Sequence, residues 1–364
     1  MILIINYLIQ LFFGLNWLYP QRDINEPRSA TYNQKMKYCW SMGILLILLS
    51  GLRSLRVGAD TAEYYRSYME ISRMSWQKVF MPAVMKYAYG IEGIRDPGYA
   101  VFQKCTQILG TDYQVYLMLI ACLFMIPFVK LVLRESKCPT ISFCLYSALF
   151  YGFFSITGIR QTIATAFTVL VGDQLVKKRK LLPFVLIVLL SSTIHKSALV
   201  FLPFYFLSRI PVNKGTAFCS IFLVVFSFVF RNQLKMVFID VSGYTDYVNA
   251  YENAGTYTFT FLLAILFIMS FFAMESDSEL RDNNRFYIAL YLAMFFTPLT
   301  WINPSAMRIV QYFSIYLVIL IPEMIDCVFS KNSQFLARGA VVIVLLLLLL
   351  KGNPQYQFFW ELNW

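Results

Sequence analysis

Residues 140–176 read TISFCLYSALFYGFFSITGIRQTIATAFTVLVGDQLV, a long apolar run that Arg160 interrupts near its middle. As one straight helix this run would be about 55 Å long, whereas the hydrocarbon core of a bilayer is roughly 30 Å thick. The run must therefore turn, and Gly158-Ile159-Arg160-Gln161 is the segment where we expect it to do so. The stretch predicts a helical hairpin in a membrane, with an arginine near its tip.

Two more apolar runs have the same form. Residues 181–208 contain the pair His195-Lys196, and residues 286–322 contain a proline-bearing break that is followed by Arg308. Each run is longer than one span needs, and each carries polar residues where it has to turn. A hairpin is thus expected in each run, with these charged residues near its tip.

The composition is typical of a membrane protein. The chain has 364 residues, of which 59% are hydrophobic and 14% are charged, and its mean hydropathy is +0.60. Soluble chains are about 25% charged. We predict an all-α, polytopic integral membrane protein with roughly eleven or twelve transmembrane helices in a single membrane domain over residues 1–364. The predicted spans are 2–19, 38–55, 113–133, 140–158, 161–176, 181–195, 197–212, 216–231, 257–274, 286–301, 306–322 and 339–351.

The basic residues indicate the orientation of the chain. The net charge is +11, which in so apolar a chain indicates topology signals and anionic lipid rather than nucleic acid. The cluster Lys177-Lys178-Arg179-Lys180 is the strongest cytoplasmic marker under the positive-inside rule. With this cluster inside, residues 56–112 form a long outer loop with short amphipathic helices, and residues 232–256 form a second outer loop. The three hairpin tips then face the same, outer side.

The first outer loop begins with side chains that have two interpretations. Asp60 and Glu63 have the spacing of a capping box, which predicts a helix start. Arg56 and Asp60 would equally suit a polar cavity, where an arginine binds phosphate and an aspartate accepts a hydroxyl proton. Tyr64 opens a stripe of tyrosines on one helical face, which favours an amphipathic helix at the membrane interface.

A second helix start lies further along this loop. Asp96-Pro97-Gly98-Tyr99 places Asp at the N-cap and Pro at the first helical position, so the local pattern favours a capping role for Asp96. Asp112 is expected to cap the span that follows the loop.

The charged residues inside apolar runs are the strongest functional candidates. A charge at membrane depth costs several kcal/mol unless it is paired or reaches water. Arg160 has Gln161 beside it, and Arg308 has Tyr312 one turn further on the same face. Arginine is suited to bidentate binding of phosphate oxygens.

The single histidine also lies at a predicted tip. His195 precedes Lys196, which predicts a general base or a hydrogen-bond donor to phosphate. The chain contains no P-loop, GxGxxG, GxSxG or HExxH motif, and the outer loops contain no DxD pair. The cysteines are scattered without a CxxC, which argues against a zinc site. We expect neither a metal nor a cofactor.

The ordered motifs resemble the EpsG family of Wzy-type polysaccharide polymerases over residues 50–322. The resemblance is carried by Arg56-x-x-x-Asp60, Asp96-Pro-Gly-Tyr99, Gly158-Ile-Arg160-Gln161-x-Ile-Ala164, His195-Lys196-Ser197-Ala198-Leu199 and Arg308-x-x-x-Tyr312. One departure is Asp96, where many relatives are expected to have Glu.

The resemblance implies an enzyme that joins undecaprenyl-diphosphate-linked repeat units into O-antigen, capsular polysaccharide or exopolysaccharide at the outer face of the bacterial inner (cell) membrane. Its partners would be the lipid-linked donor and acceptor, membrane lipids and a chain-length regulator. The implied catalytic residues are Asp60, His195 and Arg160. The implied substrate-binding residues are Arg56, Tyr64, Asp96, Tyr99, Gln161, Lys196, Arg308 and Tyr312.

Other readings remain open. A flippase for the same lipid-linked sugars would also need arginines at membrane depth, although internal repeats are more typical of it. A polysaccharide ligase shares the diphosphate donor, and only the family pattern separates it from a polymerase. An acyltransferase needs a cytoplasmic thioester supply, which the outward His195 does not favour. A scaffold would carry the buried charges at a cost without an evident packing benefit.

Overall fold

The computed structural model describes residues 1–18, 31–91, 94, 96–242, 256–276, 284–352 and 355–361, without the side chains of 237–242 and 274–276. In these ranges the chain is helical, apart from turns and one isolated bridge between Arg53 and Phe358. The all-α prediction is therefore confirmed.

Helices of very different length make up the described chain, and 3-10 or π-helical turns continue several of them. The α-helices are α1 (Ile2–Leu18), α2 (Tyr32–Gly51), α3 (Thr61–Arg73), α4 (Trp76–Tyr89), α5 (Pro97–Thr106), α6 (Tyr113–Glu135), α7 (Pro139–Leu145), α8 (Ile159–Thr165), α9 (Gly172–Lys177), α10 (Leu181–Ile194), α11 (Phe204–Leu207), α12 (Lys214–Val229), α13 (Arg231–Ser242), α14 (Tyr257–Ser276), α15 (Asn284–Phe296), α16 (Met307–Ser314), α17 (Leu317–Val328) and α18 (Lys331–Gly352).

The apolar helices fit a membrane protein. Within the described ranges, α6 and α18 are long and apolar enough to cross a bilayer alone. The bent pair Pro304–Ser314 and Leu317–Val328, at an angle of 58°, would make a third span. Shorter apolar helices account for much of the remaining hydrophobic sequence. The short predicted run 339–351 proves to be the apolar part of α18, which its flanking residues lengthen.

Contacts between distant residues show that the first long apolar run goes out and returns. Lys177 Nζ, at the end of the run, lies 2.9 Å from an oxygen of Glu135, which precedes it. Arg160, near the middle, instead contacts Asp96 at 3.0 Å. The helical course breaks at Gly158, where the sequence predicts the turn. We call the two ends of the bundle the Asp96 end and the Glu135 end.

The second and third runs share this arrangement. The backbone N–H of Val212, after the second run, donates to Asn284 Oδ1 at 3.2 Å. Arg285, at the start of the third run, lies 2.8 Å from Glu135 Oε2. His195, in the middle of the second run, lies instead at the Asp96 end. The Glu135 end thus holds both ends of the first hairpin, the end of the second run and the start of the third.

The loop 56–112 contains α3, α4 and α5. The predicted start of α3 is confirmed, but Asp60 makes no side-chain capping bond, so the capping box is not formed. The prediction for Asp112 is confirmed, because its Oδ1 accepts from Gln114 N at 2.7 Å. Helix α4 is not among the predicted helix starts, although Ser75 caps its first turn and Gly90, with φ 67°, ends it.

Residues 355–361 return to the end of α2. The N–H of Ser54 donates to Gln357 O at 2.8 Å, and the N–H of Phe359 donates to Leu52 O at 3.0 Å. The chain that enters the loop 56–112 is therefore held by the last described residues. The predicted second outer loop, 232–256, begins as α13, and residues 243–255 lie outside the described part of the chain.

Candidate functional site

The carboxylate of Asp96 joins two hairpin tips to the outer loop. Its Oδ2 lies 3.0 Å from Arg160 Nη1 and 3.6 Å from His195 Nδ1. Its Oδ1 accepts a hydrogen bond from the backbone N–H of Lys196 at 3.2 Å. The Asp96 and His195 side chains are only 5% and 3% exposed, whereas Arg160 is 31% exposed. Arg160 is therefore the member of this group that a ligand reaches most easily.

The backbone at Asp96 explains why its side chain faces the bundle. Asp96 has φ 38° and ψ 51°, in the left-handed region that non-glycine residues adopt at a cost. Pro97 begins α5 as predicted, but Asp96 makes no side-chain capping bond to this helix. The capping role favoured by the local pattern is therefore wrong. The contacts with Arg160, His195 and Lys196 offset the backbone strain.

Gly98 allows α5 to approach α10 closely enough for these contacts. A Cβ at Gly98 would lie 2.1 Å from Thr193 Oγ1 and 2.8 Å from the Thr193 carbonyl carbon. No side chain fits there without moving α5 away from α10. Because Asp96 and Lys196 flank this contact, the same movement would separate the carboxylate from the Lys196 N–H.

The charges around Asp96 keep it ionised. Burial raises the pKa of Asp96, but the neighbouring His195 ring, the Arg160 guanidinium and the Lys196 N–H lower it by more. The net result is a pKa below the ordinary value of 3.8. Asp96 is thus a permanent anion near neutral pH and a poor proton acceptor.

Among the described residues, more cations than carboxylates lie around Asp96. Lys86 Nζ on α4 donates to Ile94 O at 2.6 Å. Burial lowers the pKa of Lys86, as does the nearby Lys196, whereas Asp96 raises it. Arg308 interacts electrostatically with the His195 ring. The arrangement is suited to an anion with several negative charges, such as a phosphate or diphosphate group.

Hydrogen bonds hold the three hairpin tips together. Gln161 Nε2 donates to the backbone oxygen of Arg308 at 2.5 Å, which joins the first tip to the third. Ser197 Oγ donates to Tyr312 OH at 3.3 Å, which joins the second tip to the third. The tips therefore form one surface rather than three independent turns.

A cluster of tyrosines lies beneath this surface. The Arg160 guanidinium carbon lies 5.9 Å from the centroid of the Tyr99 ring. Tyr116 OH donates to Tyr99 OH at 3.1 Å, and the Tyr64 ring packs edge-on against Tyr99 at 5.9 Å. Tyr68, from the same stripe as Tyr64, stacks on Tyr116. Tyr99 therefore supports Arg160 from within the packed interior.

A comparison with models of protein families finds a match over most of the chain. The model of the EpsG family matches residues 36–358. The chain belongs to the EpsG family. This family resembles the Wzy-type polymerases. The chain is therefore a membrane protein of polysaccharide biosynthesis. No curated protein and no solved structure matches the chain.

Two predicted residues of this EpsG-family protein lie apart from the Asp96 contacts. Arg56 and Asp60 are exposed, before and at the start of α3. In the described part of the chain, neither side chain contacts Asp96, Arg160 or His195. Both side chains face solvent at the start of the loop 56–112.

Sequence reasoning missed Lys86 and Arg53 in this EpsG-family protein. Arg53 is only 2% exposed and donates to Ile156 O at 3.1 Å and to Ser50 O. It ties the end of α2 to the first hairpin tip. The available signal was its charge at the end of the apolar run 38–55, the same reasoning that identified Arg160. Lys86 gave no such signal, because it lies in the polar loop.

The described residues of this EpsG-family protein contain no group of three or more His, Cys, Asp or Glu side chains placed to share a metal ion. The described side chains around Asp96 are mostly cationic.

Proposed function

We propose that this protein polymerises oligosaccharide repeat units carried on undecaprenyl diphosphate, and so makes O-antigen, capsular polysaccharide or exopolysaccharide. The observation that carries the proposal is the buried carboxylate of Asp96, surrounded by Arg160, Lys196, Lys86 and the nearby Arg308. A diphosphate is the leaving group in such a reaction, and fixed positive charge stabilises it. Membership of the EpsG family supports the same chemistry.

The proposed orientation has about twelve spans, with the Asp96 end at the outer face of the bacterial inner membrane. The cluster 177–180 lies at the Glu135 end, where the positive-inside rule puts the cytoplasm. Lipid-linked repeat units displayed on the outer leaflet would meet the three hairpin tips directly.

In the proposed reaction, a hydroxyl of the acceptor repeat unit attacks the anomeric carbon of the donor chain. The bond from this carbon to the diphosphate oxygen breaks, and the leaving diphosphate keeps the electron pair. Arg160 and Arg308 stabilise the charge that develops on it. The hydroxyl proton goes to His195.

The geometry favours His195 over Asp60 as the base. Its Nδ1 faces the Asp96 carboxylate, which fixes the ring and directs Nε2 to the other side. Asp96 is then a positioning residue, because its lowered pKa makes it a weak base. Asp60, Arg56 and Tyr64 lie where they would meet sugars of the acceptor. Because side chains neutralise the diphosphate, the proposed reaction needs no metal, and activity should persist in EDTA.

Complementation of a deletion strain tests the proposal. Surface polysaccharide is resolved on a gel for wild type and for Arg160→Ala, His195→Ala and Arg308→Ala, with membrane expression checked by blotting. Arg66→Ala is the matched control, since Arg66 is exposed on α3 and pairs only with the exposed Glu63 among its described contacts. We expect the site variants to show one repeat unit and the control to show the full ladder.

The alternatives give different gels. If single-unit glycolipid never reaches the outer face in the deletion strain, the protein moves the lipid carrier and the proposal fails. If long polymer accumulates on its lipid carrier, the protein is a ligase and the proposal again fails.

A further inference from the structure

A groove opens at the Glu135 end, far from the hairpin tips. It lies between α6 and the facing segment 166–180, and its volume is about 500 Å³. The α6 residues that line it recur every four positions, so they lie on one face of the helix. This wall consists of Cys122, Leu123, Ile126, Pro127, Lys130 and Arg134.

Both walls change from apolar to basic in the same direction. The facing wall begins with Leu170 and Val171 and finishes with Lys178 and Lys180. From Leu123 to Arg134, α6 rises about 17 Å. This is close to half of the roughly 30 Å hydrocarbon core. The groove therefore has the length and polarity of one lipid leaflet.

Both walls contain a helix irregularity. Pro127 lies inside α6, where it removes a backbone hydrogen bond. The facing wall passes through the π-helical turn Ala166–Val171, which widens the helix locally. The groove therefore lies where neither wall is a regular α-helix.

The mouth of the groove keeps its positive charge. Lys130, Lys178 and Lys180 are exposed. The nearby carboxylates of Glu135 and Asp173 are 6% and 0% exposed, and both contact Arg285 behind the groove. Since these carboxylates are buried and paired, they leave the lysines at the mouth available to an anionic group.

We propose that this groove binds an anionic glycerophospholipid. Its acyl chain lies along Leu123, Ile126 and Leu170, and its phosphate lies among Lys130, Lys178 and Lys180. An acyl chain of ordinary length matches the single-leaflet depth of the groove, whereas a long polyprenyl chain would extend beyond it. Basic pockets between transmembrane helices have this affinity for anionic head groups.

Native mass spectrometry of the purified full chain tests the proposal, with titrations of phosphatidylglycerol, phosphatidylcholine and undecaprenyl phosphate. We expect the wild type to bind phosphatidylglycerol more tightly. The triple variant Lys130→Ala/Lys178→Ala/Lys180→Ala should bind it at least about ten-fold more weakly. The triple variant Lys137→Ala/Lys214→Ala/Lys331→Ala is the matched control, because it removes the same charge from exposed lysines outside the groove.

A second variant separates the groove from surface charge alone. Ile126→Trp fills the apolar part and leaves every lysine in place, and it should also weaken phosphatidylglycerol binding. Unchanged binding in Ile126→Trp, an equal loss in the control triple variant, or a preference for undecaprenyl phosphate over phosphatidylglycerol would overturn the proposal. Thermal melting of each variant shows that it remains folded.

Discussion

Arg160 Nη1 lies 3.0 Å from Asp96 Oδ2, although 64 positions separate the two residues in the chain. This contact fixes a residue of the outer loop to the tip of the first membrane hairpin. It leaves Arg160 partly exposed while Asp96 is almost completely buried. The Arg160 guanidinium is therefore accessible to a ligand, while the carboxylate that balances its charge lies buried behind it.

Replacement of Arg160 should reduce polymer formation strongly. We expect Arg160→Ala to lower the polymerisation rate by about 100-fold, the effect of removing one donor that stabilises a developing anion. Arg160→Lys keeps the charge but loses the bidentate geometry, so it should recover only part of this rate. The rate is measured with lipid-linked repeat units and purified protein. Unchanged yield and polymer length in Arg160→Ala would contradict the assigned role.

Acid should remove the stabilisation that Asp96 provides. Because the folded-state pKa of Asp96 is below its ordinary value of 3.8, its ionised form stabilises the fold above that value. The contribution is lost as the pH falls through the lowered pKa. The difference in melting temperature between wild type and Asp96→Asn should stay constant from about pH 7 to pH 5 and shrink below pH 3.8.

The control for this experiment is Asp60→Asn, at an exposed position of the same loop. Its melting temperature should follow that of the wild type across the range. If the difference in melting temperature between wild type and Asp96→Asn grew on acidification, the ionised carboxylate of Asp96 would not be the form that stabilises the fold.

A side chain at position 98 should disturb both the fold and the site. We expect Gly98→Ala to destabilise the protein by about 1–3 kcal/mol, because its Cβ would overlap Thr193. Gly152→Ala is the matched control, since its Cβ would meet no atom within 4 Å. Thermal melting in detergent and the polymerisation rate measure both effects. Equal melting temperatures for the two variants would show that α5 and α10 do not pack closely in solution.

The ion pairs at the Glu135 end should contribute to folding. Arg285 Nε lies 2.9 Å from Asp173 Oδ1, and its Nη2 lies 2.8 Å from Glu135 Oε2. Arg285→Ala leaves two buried carboxylates without this partner, which should cost about 3–5 kcal/mol. Arg338→Ala, which breaks a more exposed pair with Asp326, should cost about 1 kcal/mol or less. The yield of folded protein in membranes checks the order, and a reversed order would contradict it.

The sequence predicts those features that follow from the length of a membrane span. An apolar run too long for one crossing has to turn, and Arg160, His195 and Arg308 mark the turns because a charge is least costly at a hairpin tip. The start of α5 is also predictable from the sequence, because Asp96-Pro97 limits the backbone locally. The direction of the Asp96 side chain is not predictable, since an Asp that caps a helix and an Asp that pairs with a distant residue have the same local pattern.

Contacts between distant segments account for the rest. Lys86 lies in a polar loop, where an exposed lysine is the ordinary expectation. Its position near Asp96 depends on how α4 packs against the rest of the chain, and the local sequence pattern does not predict this packing. Arg53 was visible as a charge, but its acceptor Ile156 O belongs to another hairpin. The ion pair between Asp173 and Arg285 likewise depends on how the hairpins pack together, which the sequence does not show.

The hydrogen bond from Tyr356 OH to Leu49 O joins residues that are 307 positions apart. Residues 355–361 hold the chain just before the outer loop, and these contacts form only when the last described residues have left the ribosome. The loop that carries Asp96 is made early, whereas this one of its anchors is made late. A nascent chain stalled before residue 355 would therefore lack the contacts that hold the start of this loop from the carboxyl-terminal side.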